Sequence, residues 1–306
     1  MTDGLLVIDK PEGPTSHDVV ARVRRILRER RIGHTGTLDP LATGVLPLVI
    51  GRATRLAQFL TAEDKRYRAT IRLGQATTTY DREGDPMPPS GDPSAVTREQ
   101  VEEILAGFRG PLEQIPPAYS AKKIQGETAH RLARRGETVT PAAVRVVVHE
   151  LQLVSLEGAL LTVDVHCSAG FYVRSLAHDV GLRLSCGAHL VALRRTGSGA
   201  ITLADAVPLP EGDAPAESLR PHIRPLSALL PDWPAARTTV EGARKVGQGR
   251  MLGPEDCMDW PAMPSTVVDE GPPQVRILSP DGTLLALGGW RLQGRTAVLH
   301  PRIVLV

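Results

Sequence analysis

The hydrophobic pattern of the chain predicts strands and helices in irregular alternation. Continuous or alternating apolar runs are typical of strands, which bury one or both faces in a sheet. Such runs lie at Leu5 to Ile8, Leu46 to Ile50, Lys65 to Leu73, Val144 to Val148, Leu160 to His166 and Ile303 to Val306. Apolar residues spaced three and four apart predict helices at about His17 to Glu29, Ala53 to Leu60, Thr97 to Phe108, Tyr172 to Leu184 and Val240 to Val246. The mixture favours the α+β class.

Local signals place the starts and the breaks of these elements. Ser16 stands where it can cap the first helix, and Thr97 with Gln100 has the spacing of a capping box. Residues 75–95 are rich in Gly, Pro, Asp and Ser, which predicts an irregular loop. Prolines become dense from about Ala206 to Pro234, which indicates a domain boundary or an extended linker. We therefore expect one domain over residues 1–230 and a small, β-rich domain over residues 231–306.

Composition narrows the classes of function without selecting one. The 36 Lys and Arg residues nearly balance the 34 Asp and Glu residues, so bulk charge favours no partner. Three widely spaced cysteines fit neither a disulfide framework nor a zinc site and suit a reducing cytoplasm. No run approaches the roughly 20 apolar residues of a membrane-spanning helix. The histidines lack metal-ligand spacing and no glycine-rich phosphate loop occurs, so a metal site, nucleotide hydrolysis and dinucleotide binding are not indicated. The cysteine pattern and the lack of an apolar span predict a soluble, cytoplasmic protein.

The first predicted helix carries an unusual excess of positive charge. Six arginines, Arg24 and Arg28 among them, lie between positions 22 and 31 and are opposed by Glu29 alone. A helix face that is merely solvated is the alternative interpretation, but such a face usually mixes the two signs of charge. The pattern favours contact with an RNA backbone.

The segment GHTGTLDPLATG, residues 33–44, concentrates polar side chains between glycines. Asp39 stands just before a proline, where the chain cannot continue as a helix. The glycines permit backbone conformations and close approaches that other residues resist. One interpretation is an Asx-type turn whose side chains bond their own backbone, and the other is a reactive loop that presents a carboxylate.

Tyrosines flanked by cations suggest a site for a base. Only 3% of the residues are aromatic, yet Tyr67 lies within Lys-Arg-Tyr-Arg and Tyr172 precedes Val-Arg. An aromatic ring among cations can stack on a splayed base while the cations bind its phosphates. The alternative is that the ring of Tyr67 belongs to the core, and one ring can do both.

Arg174 falls early in a helix whose following turns are apolar, so it is predicted to point inward or into a cleft. A buried arginine needs a carboxylate partner. Asp39 is one candidate, although Asp164 and Asp179 are nearer in the sequence. Pairing with Arg174 would stabilise Asp39 as a carboxylate ready to act as a nucleophile.

Together these segments resemble the TruB family of tRNA pseudouridine synthases along the whole chain. The resemblance is carried, in order, by GLLVIDKPEGPTSHDVV, RIGHTGTLDPLATGVLPL, DKRYRATIRLG, IPPAYSAKKIQGE, CSAGFYVRSLAHDVG and CGAHLVALRRTGSG. It implies a mixed, mostly antiparallel sheet flanked by helices, an RNA-clamping insertion at about residues 75–140, and a C-terminal domain similar to the PUA module. It also implies conversion of one uridine in the T-arm of tRNA, position 55, to pseudouridine, without a cofactor or an obligatory protein partner.

The resemblance assigns roles to individual residues. It implies Asp39 as the catalytic carboxylate, Tyr67 as the ring that stacks on the base, and Arg174 as the partner of Asp39. Further contacts with the RNA or the pocket are expected from His34, which helps to evert the base, and from Thr35, Gly36, Lys10, Pro11, Tyr172, Leu193, Lys122, Arg24 and Arg28.

The reaction explains the need for a carboxylate. Pseudouridine forms when the N1–C1′ bond breaks, the uracil turns, and C5 joins C1′. A carboxylate can attack C1′, attack C6, or act first as a base toward a glycal, and Tyr67 could remove the C5 proton. Two other functions stay open: an RNA-binding or folding protein with an idle pocket, and a guide-RNA-dependent relative that needs protein partners.

Overall fold

The computed structural model describes residues 3–119, 123–124, 127–128, 135, 141–212, 214–262, 274–293 and 296–306. Among them, no helix combines the length and apolarity that a membrane crossing demands. The helices are α1 (Ser16–Leu27), α2 (Ala57–Thr61), α3 (Arg98–Ala106), α4 (Val173–Arg183) and α5 (Val240–Gly247). The strands are β1 (Gly4–Lys10), β2 (Ile32–His34), β3 (Ala42–Ile50), β4 (Lys65–Leu73), β5 (Gln75–Thr77), β6 (Pro86–Ser90), β7 (Gly110–Gln114), β8 (Lys123–Ile124), β9 (Glu127–Thr128), β10 (Val144–Glu157), β11 (Leu160–Cys167), β12 (Ala188–Ser198), β13 (Ile201–Thr202), β14 (Val207–Pro208), β15 (Ala235–Thr238), β16 (Cys257–Asp259), β17 (Val275–Leu278), β18 (Leu284–Gln293) and β19 (Thr296–Val304).

A mixed, mostly antiparallel sheet forms the main body, as predicted. Its strands run in the order β14-β1-β3-β12-β4-β11-β10-β7, with β2 added to β3 and β13 added to β12. Among the described strands of this sheet, only the β1–β14 and β3–β12 pairs are parallel. A second sheet, in the order β16-β15-β17-β18-β19, forms a separate C-terminal β domain together with α5. The α+β prediction is therefore confirmed.

The continuous apolar run of the first strand is explained by burial on both faces. Leu6 and Ile8 point into the core that α1, α3 and α4 cover. Leu5 and Val7 point the other way, into a core shared with the C-terminal domain through residues such as Leu305. Because successive side chains of a strand face opposite sides, such a strand must be apolar at every position.

The first helix begins one residue earlier than the sequence suggested. Thr15, and not Ser16, is its N-cap, since Thr15 and Asp18 bond each other's backbone in a capping box. The helix ends at Leu27, and Arg28 follows in the left-handed conformation. Ser16 is consequently buried in the first turn, where its hydroxyl is available to another segment.

Three further predictions need correction. Residues 75–95 are not wholly irregular, because β5 and β6 pair as a hairpin within them. The helix predicted at Ala53 to Leu60 divides into a 3₁₀ turn, Gly51–Leu56, and α2. The proline-rich stretch is packed and not extended, because its prolines form short 3₁₀ turns that insert buried leucines into the body. These leucines are Leu219, Leu226, Leu229 and Leu230.

The pairing of β3 with β12 requires a glycine at position 44. Gly44 has φ of +102°, and a Cβ atom there would lie 2.2 Å from the backbone oxygen of Arg195. We expect Gly44→Ala to lower the free energy of unfolding by about 3 kcal/mol or more, since it adds a backbone collision to an unfavourable φ. Urea denaturation would measure the loss.

Gly158→Ala is the matched control. Gly158 also has a positive φ, +57°, but a Cβ there meets nothing within 4 Å. Its substitution should cost only about 1 kcal/mol. Equal losses in the two variants would contradict the close packing of β3 against β12.

Candidate active site

The loop between β2 and β3 carries Asp39 and is fastened by buried polar side chains. The Ser16 hydroxyl accepts a hydrogen bond from the N–H of Leu38 at 2.8 Å and donates to its carbonyl at 3.1 Å. Lys10, fully buried, donates from Nζ to the carbonyls of Pro40 at 3.2 Å and Ala42 at 2.7 Å. Burial lowers the pKa of Lys10 to about 8. A buried ammonium group without hydrogen-bond acceptors costs several kcal/mol of folding free energy, so these bonds stabilise the loop in its observed position.

Arg195 provides a third fastening from the floor of the site. Its side chain is buried, with Nε donating to the carbonyl of Val45 at 2.7 Å and Nη2 to that of Gly36 at 3.1 Å. In the sheet Arg195 lies between Gly44 of β3 and Tyr67 of β4. The sheet register therefore sets the loop and the tyrosine at a fixed separation.

Arg174 connects the loop to a second acidic residue. Its Nε lies 3.0 Å from Asp39 Oδ2, and its Nη1 lies 3.4 Å from Asp81 Oδ2. Nη1 also donates to the carbonyl of Thr79 at 3.2 Å, and Nη2 to that of Tyr119 at 3.0 Å. Two carboxylates and two carbonyls thus surround a guanidinium whose side chain is only 8% exposed.

The two carboxylates have different surroundings. The side chain of Asp81 is 4% exposed and accepts hydrogen bonds from Thr79 Oγ1 at 2.5 Å and from the N–H of Glu83 at 3.0 Å. The side chain of Asp39 is 35% exposed. Asp81 is therefore a buried counterion whose acceptor capacity is used within the protein, whereas Asp39 presents an accessible carboxylate.

Asp39 opens into a cavity of about 280 Å³. This volume is near the lower end of the range for small-molecule pockets, about 300–1,000 Å³, and suits a single ring system. The lining comes from the Asp39 loop, from the end of α2, from β4 and β12, and from the start of α4 with the loop before it. It comprises Gly36, Thr37, Leu38, Asp39, Thr61, Lys65, Tyr67, Ala169, Gly170, Phe171, Tyr172, Val173, Arg174, Leu193 and Arg195.

Positive charge predominates around this cavity. Lys65 lines it and is buried, and its pKa is lowered to about 8 by burial and then by the nearby charge of Arg195. Burial also raises the pKa of Tyr67, so its hydroxyl keeps its proton at neutral pH. The cavity therefore combines one carboxylate, neighbouring cations and a neutral phenol.

The start of α4 is held by the last residue of β7, Gln114, and by the residue after it, Ile115. The Gln114 side chain accepts from the N–H of Tyr172 at 2.7 Å and donates to its carbonyl at 3.0 Å. Ser175 donates to the carbonyl of Ile115 at 2.7 Å. These bonds satisfy the N–H of the N-cap residue Tyr172 and anchor the first turn of the helix, in which Arg174 lies.

The structure brings together the central residues predicted from the sequence. Asp39, Tyr67, Arg174, Gly36, Tyr172 and Leu193 all line the cavity. Lys10 lies behind the loop, which it supports through its carbonyl contacts. Of the candidate partners for Arg174, Asp39 is in contact, whereas Asp164 pairs with Arg68 on the exposed face of the sheet.

Other predicted contacts lie away from the cavity. His34 packs edge-on against His17, with ring centroids 5.3 Å apart, and Thr35 is fully buried. Pro11 is exposed on the turn after β1. Arg24 on α1 and Arg28 just after its end are exposed, and Arg24 donates to the carbonyl of Ile32 at 2.6 Å. Lys122 lies outside the described residues, as does most of the segment 120–140 of the predicted insertion.

Sequence reasoning missed Asp81 and Arg195. Asp81 lies in a segment that its composition marks as a loop, and nothing local distinguishes it from a solvated acidic residue. Arg195 falls in one of the matched segments, but adjacent Arg194 and Arg195 cannot be ranked by sequence alone. In the strand Arg194 faces Asp9, with Nη2 and Oδ2 2.7 Å apart, while Arg195 faces the cavity.

Two family models match consecutive parts of the chain. The TruB family pseudouridylate synthase N-terminal domain matches residues 24–173, and the tRNA pseudouridylate synthase B C-terminal domain matches residues 174–231. The tRNA pseudouridine synthase B of Solibacter usitatus is 44% identical over 305 residues, 99% of this chain and 100% of that protein. The enzyme of the same name from Syntrophotalea carbinolica is 41% identical over an alignment that covers 92% of this chain and 90% of that protein.

Solved structures give the same fold at lower identity. A chain of an H/ACA ribonucleoprotein bound to a substrate RNA containing 2′-deoxyuridine aligns with a TM-score of 0.73 and 26% identity. The alignment covers 99% of this chain and 85% of the solved chain. A chain of a Cbf5-Nop10-Gar1 complex aligns with the same TM-score, 27% identity and the same coverage.

The burial of Asp81 generates a test of the site's architecture. Asp81→Ala should lower the free energy of unfolding by about 3 kcal/mol, because it leaves buried Arg174 with one carboxylate fewer. Chemical denaturation would measure the change.

Asp164→Ala is the control variant. It also removes one negative charge, but it takes away the exposed carboxylate that pairs with Arg68. The side chains of that pair are 57% and 41% exposed, so the loss should stay below about 1 kcal/mol. A loss for Asp81→Ala no larger than this would mean that Arg174 does not depend on Asp81.

Proposed function

The chain belongs to the TruB family of pseudouridylate synthases, and we propose that it converts one uridine in the T-loop of tRNA, position 55, to pseudouridine with Asp39 as the catalytic carboxylate. The observation that carries this proposal is the contact of accessible Asp39 with buried Arg174 at the edge of a cavity sized for one base. The enzyme is an isomerase, since the atoms of uridine are retained and only the glycosidic bond moves from N1 to C5.

The cavity suits a base that has left its stack. Extruding a nucleotide costs a few kcal/mol and is easier in a loop than in a duplex. Tyr67 provides a ring on the wall, and Leu193 with Phe171 provides apolar contacts, so a detached uracil is retained while it turns. Retention matters because the uracil is briefly free of the ribose, and escape would leave an abasic site.

Arg174 is proposed to keep Asp39 ionised and oriented. Its contact at 3.0 Å favours the carboxylate over the neutral acid. A carboxylate held in this way can attack C1′, attack C6, or remove a proton to start a glycal route, so all three first steps use the same group. The raised pKa of Tyr67 disfavours it as the base that removes the C5 proton and favours a stacking role.

The remaining RNA contacts are proposed to lie around this centre. Residues 1–230 would form the catalytic domain, with residues 75–140 as its RNA-clamping insertion and Lys122 among the contacts there. Residues 231–306 would form a PUA-like RNA-binding domain. His34, Thr35, Lys10 and Pro11 would act through the loop, since His34 and Thr35 are partly or fully buried and Lys10 bonds loop carbonyls. Arg24 on α1 and Arg28 at its C-cap are exposed and available to phosphates.

The proposal favours a stand-alone enzyme over the two alternatives. Relatives named tRNA pseudouridine synthase B are 41–46% identical over most of the chain, whereas the solved chains from H/ACA ribonucleoproteins are 26–27% identical. An idle pocket would not need an accessible carboxylate held by a buried arginine. The enzyme would therefore act on the T-arm without an obligatory protein partner, in the cytoplasm.

A first experiment tests the chemical role of Asp39. Purified protein incubated with an unmodified T-arm hairpin in the absence of added protein should form pseudouridine at one position. Asp39→Asn should reduce the single-turnover rate by on the order of 10³-fold or more, because the amide cannot act as nucleophile or base. RNA binding, followed by fluorescence anisotropy, should stay close to that of the wild type.

Asp164→Asn, which neutralises an exposed aspartate away from the cavity, is the control and should turn over normally. Turnover of Asp39→Asn at the wild-type rate would show that the catalytic assignment of Asp39 is wrong. Loss of binding together with loss of turnover would assign it an architectural role.

The charge on α1 can be tested by salt dependence. Replacing Arg24 and Arg28 with Gln should make the plot of log affinity against log salt shallower, by up to about 0.7–0.9 for each phosphate that the protein no longer neutralises. Arg72→Gln is the control, because Arg72 lies on the exposed row of β4 that includes Arg66 and Arg68, opposite the cavity-facing row. An unchanged slope in the double variant would make the basic surface of α1 a solvated one.

A further inference from the structure

Two histidines and an aspartate meet on the exposed side of the main sheet, away from the cavity. Asp64 immediately precedes β4, His149 lies in β10 and His166 in β11. One potential ligand atom from each, a carboxylate oxygen and two imidazole nitrogens, lies within 4.8 Å of the others. None of the three lines the cavity that contains Asp39.

Two of the three distances between ligand atoms are already close to those of a metal's coordination shell. Asp64 Oδ2 lies 3.1 Å from His149 Nε2 and 3.6 Å from His166 Nε2. Ligands at about 2.0–2.1 Å in a tetrahedral zinc site are separated by about 3.3–3.4 Å. Both aspartate–histidine distances differ from that edge by only a few tenths of an ångström, and the third edge, between the two histidines, lies within 4.8 Å, so the histidine side chains would rotate toward the ion on binding.

A β-bulge aims these side chains at one point. Val148 pairs with Cys167 and Glu150 with His166, so His149 is the extra residue in β10. In a regular strand His149 and Glu150 would face opposite sides of the sheet. The bulge lets both approach His166, and bulges often re-aim a side chain in this way at functional sites.

Glu150 is placed to orient one of the ligands. Its Oε1 lies 4.0 Å from His166 Nδ1, on the side of the ring opposite Asp64. That nitrogen is buried and has no hydrogen-bond partner in the structure. A carboxylate behind a histidine, with the other ring nitrogen toward the metal, is the usual outer arrangement of a metal site.

The charge balance of the cluster is suited to a divalent cation. Asp64 and Glu150 are acidic, and Arg66 contributes one positive charge, its Nη1 lying 3.8 Å from Glu150 Oε2. Apart from the two imidazoles, these side chains carry a net charge of about −1, which favours a bound cation.

We propose that Asp64, His149 and His166 form a binding site for a divalent transition-metal ion of the zinc type, with water as a fourth ligand. Imidazole nitrogen and carboxylate oxygen form a ligand set that suits zinc, while calcium and magnesium prefer oxygen alone. The ion fastens β10 and β11 to the start of β4. The carbonyl of Asp64 also accepts a hydrogen bond from the N–H of Gly199 at 2.8 Å. An ion bound to the Asp64 side chain would therefore also stabilise the strand ends beside Lys65 and Tyr67.

The site is tested by metal titration of chelator-stripped protein. Zinc should bind the wild type with a stoichiometry of one by calorimetry and should raise its melting temperature. Cobalt in place of zinc should give the visible absorption bands of a tetrahedral complex. His149→Ala and Asp64→Asn should each weaken zinc binding by at least 100-fold, and Glu150→Gln by about 10–100-fold.

His222→Ala is the matched control, because His222 is an exposed histidine in another part of the fold, and it should bind as the wild type does. Equal zinc affinity in His149→Ala and the wild type would overturn the proposal and assign any binding to other side chains. Absence of saturable binding to the wild type would overturn it as well. Circular dichroism of the metal-free variants separates either result from misfolding. Turnover of the T-arm hairpin by metal-free protein tests the function independently.

Discussion

The need to neutralise one buried guanidinium organises the candidate active site. Arg174 is held at the start of α4 with little access to water, and a charge in that position requires opposite charge close by. Asp81 satisfies the requirement from inside the fold, while Asp39 satisfies it from the edge of the cavity. Because the loop that carries Asp39 is also bonded to Lys10 and Arg195, its carboxylate is fixed in position as well as in charge. Preorganisation of this kind lowers the cost of reaching a transition state.

Much of this architecture could be predicted because it rests on local patterns. The strand from Leu5 to Ile8 was recognisable as buried because both of its faces are apolar. The capping box at Thr97 is confirmed, since its two partners are three residues apart. Asp39, Tyr67 and Arg174 stood out as a carboxylate among glycines, a tyrosine among cations and an arginine in an apolar helix. Resemblance to a family then converted three separate anomalies into one site.

The rest could not be predicted because it depends on segments that are distant in the sequence. The apolar pattern did not mark β12, although it is the central strand that joins β3 to β4. Asp81 gains its importance only through Arg174, which lies on another element. The ligands of the proposed metal site come from a loop and two strands, and the bulge at His149 follows from pairing and not from composition. The N-cap of α1 could not be placed exactly either, because Thr15 and Ser16 are adjacent residues that can both cap a helix, and the structure uses Thr15.

The position of β1 bears on the order in which the protein can fold as it is synthesised. Leu5 and Val7 emerge from the ribosome early, yet they are covered by Leu226, Leu229 and Leu305. Contacts between residues so far apart close slowly, since a long loop must be ordered first. Residues of β3 can cover part of this face early, but the cover from Leu226, Leu229 and Leu305 is added only late in translation, so part of an apolar strand stays accessible to other chains until then.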